Sequence, residues 1–325
     1  MKKSMPDSIT KNTQDHSKIK EMFHKAFPTE QIKTISELKD GYFNVAYKIE
    51  TSERKMVLKI APAKTTAVMT YEKNIMAIEV EVMGIVAERT EIPVAKVLYY
   101  DNSHSLCDAD FFFMEFLEGE NFADKQEKMT ADEQAEIHYQ IGYYTRLMNQ
   151  ICGELFGYYG QPEKQGSNWY RVFRSMLEDI YSDARRKDVL LPVSEETILE
   201  LYDRRREVFE KVTTPRLVHW DIWAGNVFLK DNKVSGIIDF ERCLWGDELM
   251  EVGFRTYGFQ QAFFDGYGMQ ALDEEQKCRA KWYDIYLFLI NSLESDYRGY
   301  TDPGISRWGS EMLAKWVEEI RIIEG

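Results

Sequence analysis

Short stretches of alternating apolar and polar residues dominate the first third of the chain, after a predicted helix near Ser17–Ala26. Three of them, IKTISEL, FNVAYKIE and KMVLKIA, lie between residues 32 and 61, and turns are indicated at Asp40-Gly41 and Ser52-Glu53. A helical spacing of apolar residues follows over Tyr71–Glu88, and VAKVLYYD and DFFFMEFLEG have the composition of two further strands. The pattern predicts a strand-rich N-terminal region with one long helix.

Beyond Gly119 the periodicity becomes mainly helical. Helices are predicted over residues 130–152, 168–187, 194–212, 248–268, 273–298 and 306–323. Between them lies an apolar, turn-rich stretch from Leu217 to Phe240, in which Asp231-Asn232 has the composition of a two-residue hairpin turn. The chain is therefore predicted to form a small mixed lobe and a larger helical lobe that contains one β-hairpin.

The charge balance excludes one broad class of function. The 325 residues include 41 Lys and Arg against 55 Asp and Glu, a net charge of -14, whereas a general nucleic-acid binder needs a basic surface. The four cysteines have neither a disulfide-framework nor a zinc-site spacing. No segment approaches the ~18 uninterrupted apolar residues of a membrane span. We therefore expect a cytoplasmic protein with no nucleic-acid or membrane partner.

The residues around the predicted hairpin have the types and the spacing that phosphoryl transfer requires. The hairpin is preceded by HWDIWAGN (219–226) and followed by IIDF (237–240). In the H-x-D-x-x-x-x-N spacing of a kinase catalytic loop, a carboxylate such as Asp221 orients the attacking hydroxyl and accepts its proton. Asn226 and Asp239 supply the amide and carboxylate oxygens that Mg²⁺ prefers, and a tight hairpin would bring them together.

The N-terminal region contains matching groups. Lys59 ends the alternating strand MVLK, from which it could reach the phosphates of a nucleotide. On the following helix Glu79 is the favoured ion-pair partner of this lysine, and Glu81, on a different helix face, is the alternative. The turn Gly41-Tyr42-Phe43-Asn44 lies where a loop could cover the phosphates. The strand FFFMEFLEG (111–119) could end in an interlobe hinge that binds adenine.

In this order the motifs resemble those of the aminoglycoside phosphotransferase family and its choline-kinase-like relatives, over roughly Thr34 to Gly253. The resemblance implies an α+β, two-lobed protein-kinase-like fold. Residues 1–117 would form a small, β-rich nucleotide-binding lobe with one long helix. Residues 118–325 would form a larger, mostly helical lobe with the catalytic hairpin, the metal site and the acceptor pocket.

The resemblance also implies a role for each matched residue. Asp221 would be the catalytic base, and Asn226 and Asp239 would be the Mg²⁺ ligands. The residues that would contact the nucleotide are Gly41, Asn44, Lys59, Glu79, Met114, Glu115 and Leu117.

Three departures from the family pattern bear on the mechanism and the substrate. The stretch that is usually G-D-P-x-x-D has Glu248 in place of the proline and Glu251 in place of the final aspartate. Trp220 replaces a residue that is usually Gly or Arg, and Trp223 adds a second bulky ring to the loop, so both bear on the choice of acceptor. The D-F-G and A-P-E motifs are missing from the sequence, which argues against a protein kinase.

The sequence thus predicts a Mg²⁺-dependent phosphotransferase that moves the γ-phosphoryl group of ATP or GTP to a hydroxyl of a small molecule. The acceptor is predicted to be an aminoglycoside, an amino sugar or an amino alcohol, and the net charge of -14 favours a cationic one. The alternative is a catalytically silent nucleotide-binding scaffold of the same fold.

Overall fold

An antiparallel sheet forms the centre of the N-terminal lobe in the computed structural model, which describes residues 8–39, 41 and 43–324. The elements of this lobe are α1 (His16–Ala26), β1 (Ile32–Leu38), β2 (Val45–Thr51), β3 (Lys55–Ile60), α2 (Ile75–Arg89), β4 (Val97–Asp101) and β5 (Phe111–Glu115). The five strands lie in the order β1-β2-β3-β5-β4. Strand β3 is therefore central, which explains why it is buried on both faces after its first residue.

Each face of this sheet packs against one helix. Helix α1 covers one face with Ile19, Met22 and Phe23, which form an apolar cluster with Phe111 and Phe113 of β5. Helix α2 lies on the other side, where its buried residues join the core of the C-terminal lobe. The helix that carries Glu79 is thus held by both lobes.

The C-terminal lobe is mostly helical and contains two three-stranded sheets, β10-β9-β6 and β7-β11-β8. Its elements are β6 (Glu120–Asn121), α3 (Phe122–Lys125), α4 (Ala131–Asn149), β7 (Gly157–Tyr158), α5 (Trp169–Arg186), α6 (Glu195–Asp203), α7 (Arg206–Glu210), β8 (Arg216–Val218), β9 (Val227–Lys230), β10 (Lys233–Ile237), β11 (Leu244–Gly246), α8 (Gln261–Tyr267), α9 (Glu274–Arg298) and α10 (Gly304–Glu324). Helix α9 is buried along most of its length and forms the centre of this lobe.

The predicted fold class is confirmed, since an antiparallel-sheet lobe is followed by a helical lobe that contains a hairpin. The lobe boundary between residues 117 and 118 stays a prediction. Within the described ranges no helix is both long enough and apolar enough to cross a membrane.

The β9–β10 hairpin is formed as predicted. Asp231 and Asn232 have φ angles of 52° and 55°, the left-handed pair that a type I′ turn requires. At the other end of the hairpin, the backbone N–H of Ile238 donates to the carbonyl of Asn226 at 3.0 Å. Because Asp239 follows Ile238 directly, the hairpin brings Asn226 and Asp239 together although they are far apart in the sequence.

The predicted start of the long N-terminal helix at Tyr71 is wrong. A separate helical turn occupies Thr70–Glu72, and α2 begins only after Asn74, whose φ of 60° is left-handed. A long-range contact holds this turn, because the backbone N–H and the hydroxyl of Thr70 both donate to the buried carboxylate of Asp183, at 2.6 and 2.7 Å.

The helix predicted over residues 248–268 is wrong in its first half, where two short helical turns replace it and only α8 is helical. Tertiary contacts determine the backbone here. The Asp247 carboxylate accepts hydrogen bonds from Arg279 and Tyr283 of α9, both at 2.6 Å. The helix predicted over residues 194–212 is divided into α6 and α7.

Candidate active site

The Lys59 side chain is the centre of a buried charge cluster between the two lobes. Its Nζ donates to both carboxylate oxygens of Glu79 on α2, at 2.8 and 2.7 Å. The same Nζ donates to Oδ1 of Asp239 at 2.7 Å and lies 3.8 Å from Oε2 of Glu241. One lysine therefore faces three carboxylates, of which two follow the catalytic hairpin.

Opposing effects determine the charges of this cluster. Burial would lower the pKa of Lys59, but Asp239, Glu79 and Glu241 together raise it well above its ordinary value, so the lysine is charged. Burial would raise the pKa of Asp239, but Lys59 lowers it below its usual value. Burial raises the pKa of Glu241, although Lys59 opposes the rise. The cluster has more carboxylates than cations, an imbalance that a bound divalent cation would neutralise.

On helix α2 the side chain of Glu79 faces Lys59, whereas the side chain of Glu81 points in a different direction. The Glu79 side chain is 1% exposed. Glu81 accepts a hydrogen bond from the hydroxyl of Tyr159 at 2.8 Å. Residues two apart in a helix point in roughly opposite directions, about 200° apart, so only one of them can face the sheet. Glu79 is thus the ion-pair partner of Lys59, whereas its role in nucleotide binding stays a prediction.

Asp221 lies in the loop between β8 and β9, where Asn226 holds it. Nδ2 of Asn226 donates to the backbone carbonyl of Asp221 at 2.9 Å and lies 3.3 Å from its Oδ2. The side chain of Asp221 is 20% exposed. A carboxylate that is held in place but remains accessible from the cleft satisfies the geometric requirement for a general base.

Arg242 lies beside this carboxylate, although nothing in the sequence pattern singles it out. Its Nη1 is 3.9 Å from Oδ2 of Asp221, and its Cζ lies 5.5 Å from the centroid of the Tyr71 ring. Burial raises the pKa of Asp221, and the positive charges of Arg242 and Arg255 oppose this rise. Arg242 therefore favours the ionised form of the predicted base.

The Glu251 carboxylate braces the catalytic loop. Its two oxygens accept hydrogen bonds from the backbone N–H groups of His219 and Trp220, at 2.9 and 3.0 Å, and Nδ2 of Asn149 adds a third at 3.0 Å. Trp220 has a left-handed φ of 66°, an unfavourable conformation for a bulky residue that persists only where its surroundings impose it. The glutamate that replaces the usual aspartate thus still bonds to the loop backbone.

His219 supports the loop as a neutral side chain. It is fully buried, and burial lowers its pKa to about 4. Its Nε2 donates to the carbonyl of Ile238 at 3.1 Å, and its Nδ1 accepts the backbone N–H of Asp221 at 3.2 Å. Because one ring nitrogen donates and the other accepts, the neutral tautomer is the one that links the loop to the hairpin.

This neutral histidine predicts an acid-labile fold. A histidine whose pKa is about 4 when folded and 6.5 when unfolded contributes stability above pH 6.5, which is lost as the pH falls towards 4. From pH 7.5 to pH 5 we expect His219 to account for a loss of about 2 kcal/mol in the free energy of unfolding. Urea titrations of the wild type and of His219→Asn would measure it. Equal losses in the two proteins would contradict the prediction.

Asn226 and Asp239 fit a Mg²⁺ site. Because Nδ2 of Asn226 donates to Asp221, the amide oxygen is left for another partner. Oδ1 of Asp239 bonds to Lys59, which leaves Oδ2 available. Mg²⁺ usually takes only one or two protein oxygens beside phosphates and water, so this pair is sufficient. The described part of the chain contains no cluster of three His, Cys, Asp or Glu side chains that could hold a metal by itself.

The predicted phosphate-covering loop is hydrogen-bonded to the C-terminal lobe. Nδ2 of the buried Asn44 donates to Oε2 of Glu241, the carboxylate beside Lys59. A Cβ at Gly41 would lie 3.2 Å from the backbone oxygen of Asn44, so the turn is tight. Two other residues of the predicted turns, Asp40 and Tyr42, lie outside the described residues.

The predicted adenine-binding segment follows β5 at the junction of the lobes. Met114 is buried in the sheet, and the backbone N–H of Glu115 donates to the carbonyl of Lys96 at 2.9 Å. The side chain of Leu117 packs against Gly236 of the hairpin, where an added Cβ would lie 2.4 Å from Cδ1 of Leu117. The backbone N–H of Leu117 makes no backbone hydrogen bond to another described residue, which leaves it free to contact a nucleobase.

The two tryptophans of the catalytic loop have different surroundings. Trp220 is buried. Its ring stacks on that of Tyr286, with 5.4 Å between the centroids, and makes a T-shaped contact with the ring of Tyr71, with 5.6 Å between the centroids. Trp223 is 41% exposed, and its ring covers Gly225 so closely that a Cβ there would lie 2.2 Å from it. Trp220 is thus a core residue, and Trp223 is the ring that a ligand can reach.

Glu294 is a further candidate that the sequence does not reveal, because a carboxylate near a helix end is typical of a solvated surface. On α9 it is partly buried and makes no hydrogen bond or ion pair with another described residue. Its negative charge acts on Asp221, Arg242 and Tyr71.

Comparison with known proteins finds relatives that match most of the chain. The sequence profile of the phosphotransferase enzyme family matches residues 34–281. A Staphylococcus aureus protein named a probable ketoamine kinase is 25% identical over 286 residues, which cover 84% of this chain and 92% of that protein. An Enterococcus faecium protein named in the same way is 24% identical over 270 residues, covering 81% of this chain and 90% of its relative.

Solved structures share the fold over nearly the whole chain. A Haemophilus somnus protein named as a fructosamine-3-kinase superposes with a TM-score of 0.67 at 17% identity, covering 93% of this chain and 96% of that one. An aminoglycoside phosphotransferase in complex with streptomycin and ATP gives a TM-score of 0.65 at 17% identity, covering 93% and 97%. At such identities the similarity shows the fold alone, and it confirms the protein-kinase-like architecture.

Proposed function

Because this chain belongs to the phosphotransferase enzyme family, we propose that it transfers the γ-phosphoryl group of ATP or GTP to a hydroxyl of an amine-bearing, polyhydroxylated small molecule. The chain is a small-molecule kinase that uses a nucleotide and a small acceptor. One observation carries the proposal. The fold gathers Asp221, Asn226, Asp239 and the Lys59–Glu79 pair in one cleft between the lobes.

Each of these groups has a step that it can perform. The acceptor oxygen attacks the γ-phosphorus while its proton passes to a carboxylate oxygen of Asp221. The bond from the γ-phosphorus to the bridging oxygen breaks, and the nucleoside diphosphate leaves with that oxygen. Lys59 neutralises phosphate charge. Asn226 and Asp239 would hold Mg²⁺, which would supply further charge neutralisation on the phosphates.

Two side chains favour an amine-bearing acceptor. The exposed ring of Trp223 suits the face of a sugar or an ammonium group. The negative charge of the partly buried Glu294 acts on Asp221, so this carboxylate is a candidate partner for an ammonium group. Ketoamines, amino sugars and aminoglycosides all carry an amine close to hydroxyls. The names of the curated relatives favour a ketoamine among these acceptors.

The test is nucleotide turnover with a panel of acceptors. Diphosphate release from ATP and from GTP is measured against ketoamines, aminoglycosides, amino sugars, amino alcohols and neutral sugars. We expect release that depends on Mg²⁺ and is stimulated by one amine-bearing class. In Asp239→Asn, which removes a charged metal ligand, we expect the Mg²⁺ concentration for half-maximal activity to rise at least tenfold.

The outcomes separate the competing functions. Stimulation by a neutral sugar alone would contradict the acceptor class while leaving the kinase intact. Nucleotide binding without turnover on any acceptor would favour the silent scaffold. Unchanged Mg²⁺ dependence in Asp239→Asn would exclude Asp239 as a metal ligand.

A further inference from the structure

The helical turn Thr70–Glu72, which precedes α2, is anchored in the C-terminal lobe. The backbone N–H and the hydroxyl of Thr70 donate to the two carboxylate oxygens of Asp183 on α5, at 2.6 and 2.7 Å. The ring of Tyr71 makes a T-shaped contact with that of Trp220 in the catalytic loop, with 5.6 Å between the centroids. The first two residues of the turn are therefore held by two different elements of that lobe.

Glu72, the third residue of the turn, forms a buried ion pair with the end of α9. Its Oε1 accepts a hydrogen bond from Nη2 of Arg298, and the two side chains are 2% and 1% exposed. Its Oε2 accepts the backbone N–H of Met69 at 2.8 Å. One carboxylate thus closes the turn on itself and also fixes it to α9.

Two more hydrogen bonds fix the chain between this turn and the start of α2. Nε2 of Gln161 donates to the backbone carbonyl of Thr70 at 2.8 Å. Nδ2 of Asn74, the residue that directly precedes α2, donates to the carbonyl of Gly160 at 2.8 Å. We call the contacts of Thr70, Glu72 and Asn74 with the C-terminal lobe the α2 anchor.

The α2 anchor holds the end of the helix that carries Glu79. This glutamate lies in the second turn of α2, roughly 6 Å along the helix axis from Ile75, the first residue. Over so short a distance the helix moves as one body, because its backbone hydrogen bonds are internal. A shift of the anchored turn therefore displaces the carboxylate of Glu79 by a similar distance.

The position of Glu79 in turn determines which carboxylates Lys59 contacts. Nζ of Lys59 divides its hydrogen bonds between Glu79 on α2 and Asp239 after the hairpin. If Glu79 retreats, Asp239 and Glu241 are the carboxylates that remain beside the lysine. Lys59 is then drawn towards the predicted Mg²⁺ ligand and away from the phosphates. The affinity for the nucleotide thus depends on where the α2 anchor holds the helix.

The chemistry of the contact between Thr70 and Asp183 suits a fixed position. The Asp183 side chain is fully buried, and a buried carboxylate is unfavourable unless hydrogen bonds or a cation compensate for the lost water. Both donors of Thr70 do so, together with Nη2 of Arg186, which lies 2.5 Å from Oδ1. Hydrogen bonds weaken steeply when they are misaligned, so this contact tolerates less sliding than an apolar one.

We propose that Thr70 and Asp183 are positioning residues for nucleotide binding, because their hydrogen bonds hold α2 where Glu79 aligns Lys59 with the phosphates. This inference rests on the proposed function, in which Lys59 neutralises phosphate charge. It adds two residues that lie outside the charge cluster around Lys59 and act on that cluster through α2.

Thr70→Val and Thr70→Ser test the inference. Valine keeps the shape of threonine but lacks the hydroxyl that donates to Asp183, whereas serine keeps the hydroxyl. Calorimetric titration with ADP or GDP in the presence of Mg²⁺ and steady-state kinetics measure the effect. In Thr70→Val we expect the Kd and the nucleotide KM to rise roughly tenfold, with the acceptor KM unchanged. Thr70→Ser is expected to retain the wild-type values.

Thr145→Val is the matched control. The Thr145 side chain is buried, and its hydroxyl donates to the carbonyl of Ile141 within α4 at 2.8 Å, so the same substitution removes a buried hydrogen bond outside the α2 anchor. We expect its nucleotide KM to equal that of the wild type, because a loss of stability alone lowers the folded fraction, and with it kcat, but not KM. If Thr70→Val does not fold, Gln161→Met removes the bond to the carbonyl of Thr70 and is expected to raise the nucleotide KM as well.

A double-mutant cycle shows whether Thr70 acts through Glu79. Glu79→Ala removes the carboxylate on which the α2 anchor acts, and we expect it to weaken nucleotide binding by itself. Thr70→Val added to Glu79→Ala is then expected to change the Kd by less than about twofold, because the effects of coupled residues are not additive.

The outcomes distinguish a failure of the inference from a failure of the proposed function. The inference would be overturned by an unchanged nucleotide Kd in Thr70→Val (or in Gln161→Met, if the former does not fold), by an equal rise in Thr70→Ser, or by an additive rise in the double variant. Each of these results would leave the role of Lys59 intact. Unchanged nucleotide binding in Glu79→Ala would instead contradict the role of the Lys59–Glu79 pair in the proposed function, and the inference with it.

Discussion

Asp221→Asn is expected to lower kcat by roughly 10²–10⁴-fold, the usual effect of losing a general base. The substitution keeps the size of the side chain, and the bond from Asn226 to the backbone carbonyl of residue 221 does not depend on the carboxylate. The expected fall in kcat is therefore caused by the missing carboxylate, which no longer accepts the proton of the acceptor hydroxyl. Nucleotide affinity is expected to change little, because Lys59 bonds to Glu79 and Asp239 and not to Asp221.

Steady-state kinetics and calorimetric nucleotide titration would measure the two expectations side by side. Asp231→Asn is the matched control, since Asp231 is exposed at the tip of the same hairpin and its left-handed φ of 52° is one that asparagine tolerates. Full turnover in Asp221→Asn would exclude Asp221 as the base. A collapse of nucleotide binding together with kcat would indicate a structural defect in the loop.

The parts of the site that could be predicted are those that depend on spacing along one segment. The distance from Asp221 to Asn226 is set by a short loop, and the approach of Asn226 to Asp239 follows from the Asp231-Asn232 turn, whose residue types tolerate left-handed backbone. In each case the residue types of one short segment were sufficient to predict the approach of the side chains. The same holds for the fold class, because strand and helix periodicities change where the lobes change.

The parts that could not be predicted depend on contacts between distant segments. Arg242 reaches Asp221, and Arg298 reaches Glu72 and Phe43, only because the chain folds back on itself. Helical periodicity after residue 248 was equally misleading, because Glu251 is used as a partner for the catalytic loop and the backbone there is bent to deliver it.

The tryptophans show the limit of residue type as evidence. Trp220 and Trp223 are three positions apart and have the same aromatic character, yet one is buried against Tyr286 and the other is exposed to the cleft. The left-handed backbone of Trp220 turns its ring into the core, and that conformation is imposed by Glu251 from another segment. Only Trp223 therefore bears on the acceptor.

Lys59→Met is expected to destabilise the fold as well as to abolish activity. The substitution leaves the carboxylate of Glu79, which is 1% exposed, without its cation. Removing one partner of a buried ion pair costs about 3–5 kcal/mol, because the remaining charge is neither solvated nor paired. In Lys59→Met/Glu79→Gln the buried charge of Glu79 is removed, whereas Asp239 and Glu241 still lack their cation, so only part of this stability should return. Activity stays absent because the phosphate contact is still missing.

The pH dependence distinguishes this explanation from a loss of packing. Burial raises the pKa of Glu79 above its unfolded value of 4.5, and without Lys59 that rise is no longer opposed. The penalty is therefore present at neutral pH and should disappear as the pH falls below 4.5, where Glu79 becomes protonated in the unfolded state as well as in the folded state. Lys55→Met is the control on the same strand, since the pair of Lys55 with Glu118 is solvent-exposed and its loss should be nearly neutral. Urea unfolding of these variants at several pH values measures the free energy of unfolding of each one and its pH dependence. A deficit in Lys59→Met that persists at acidic pH would mean that the lysine stabilises the lobes by packing. A deficit that Glu79→Gln does not relieve would mean that Glu79 is not its main partner and that Asp239, Glu241 or packing accounts for the loss.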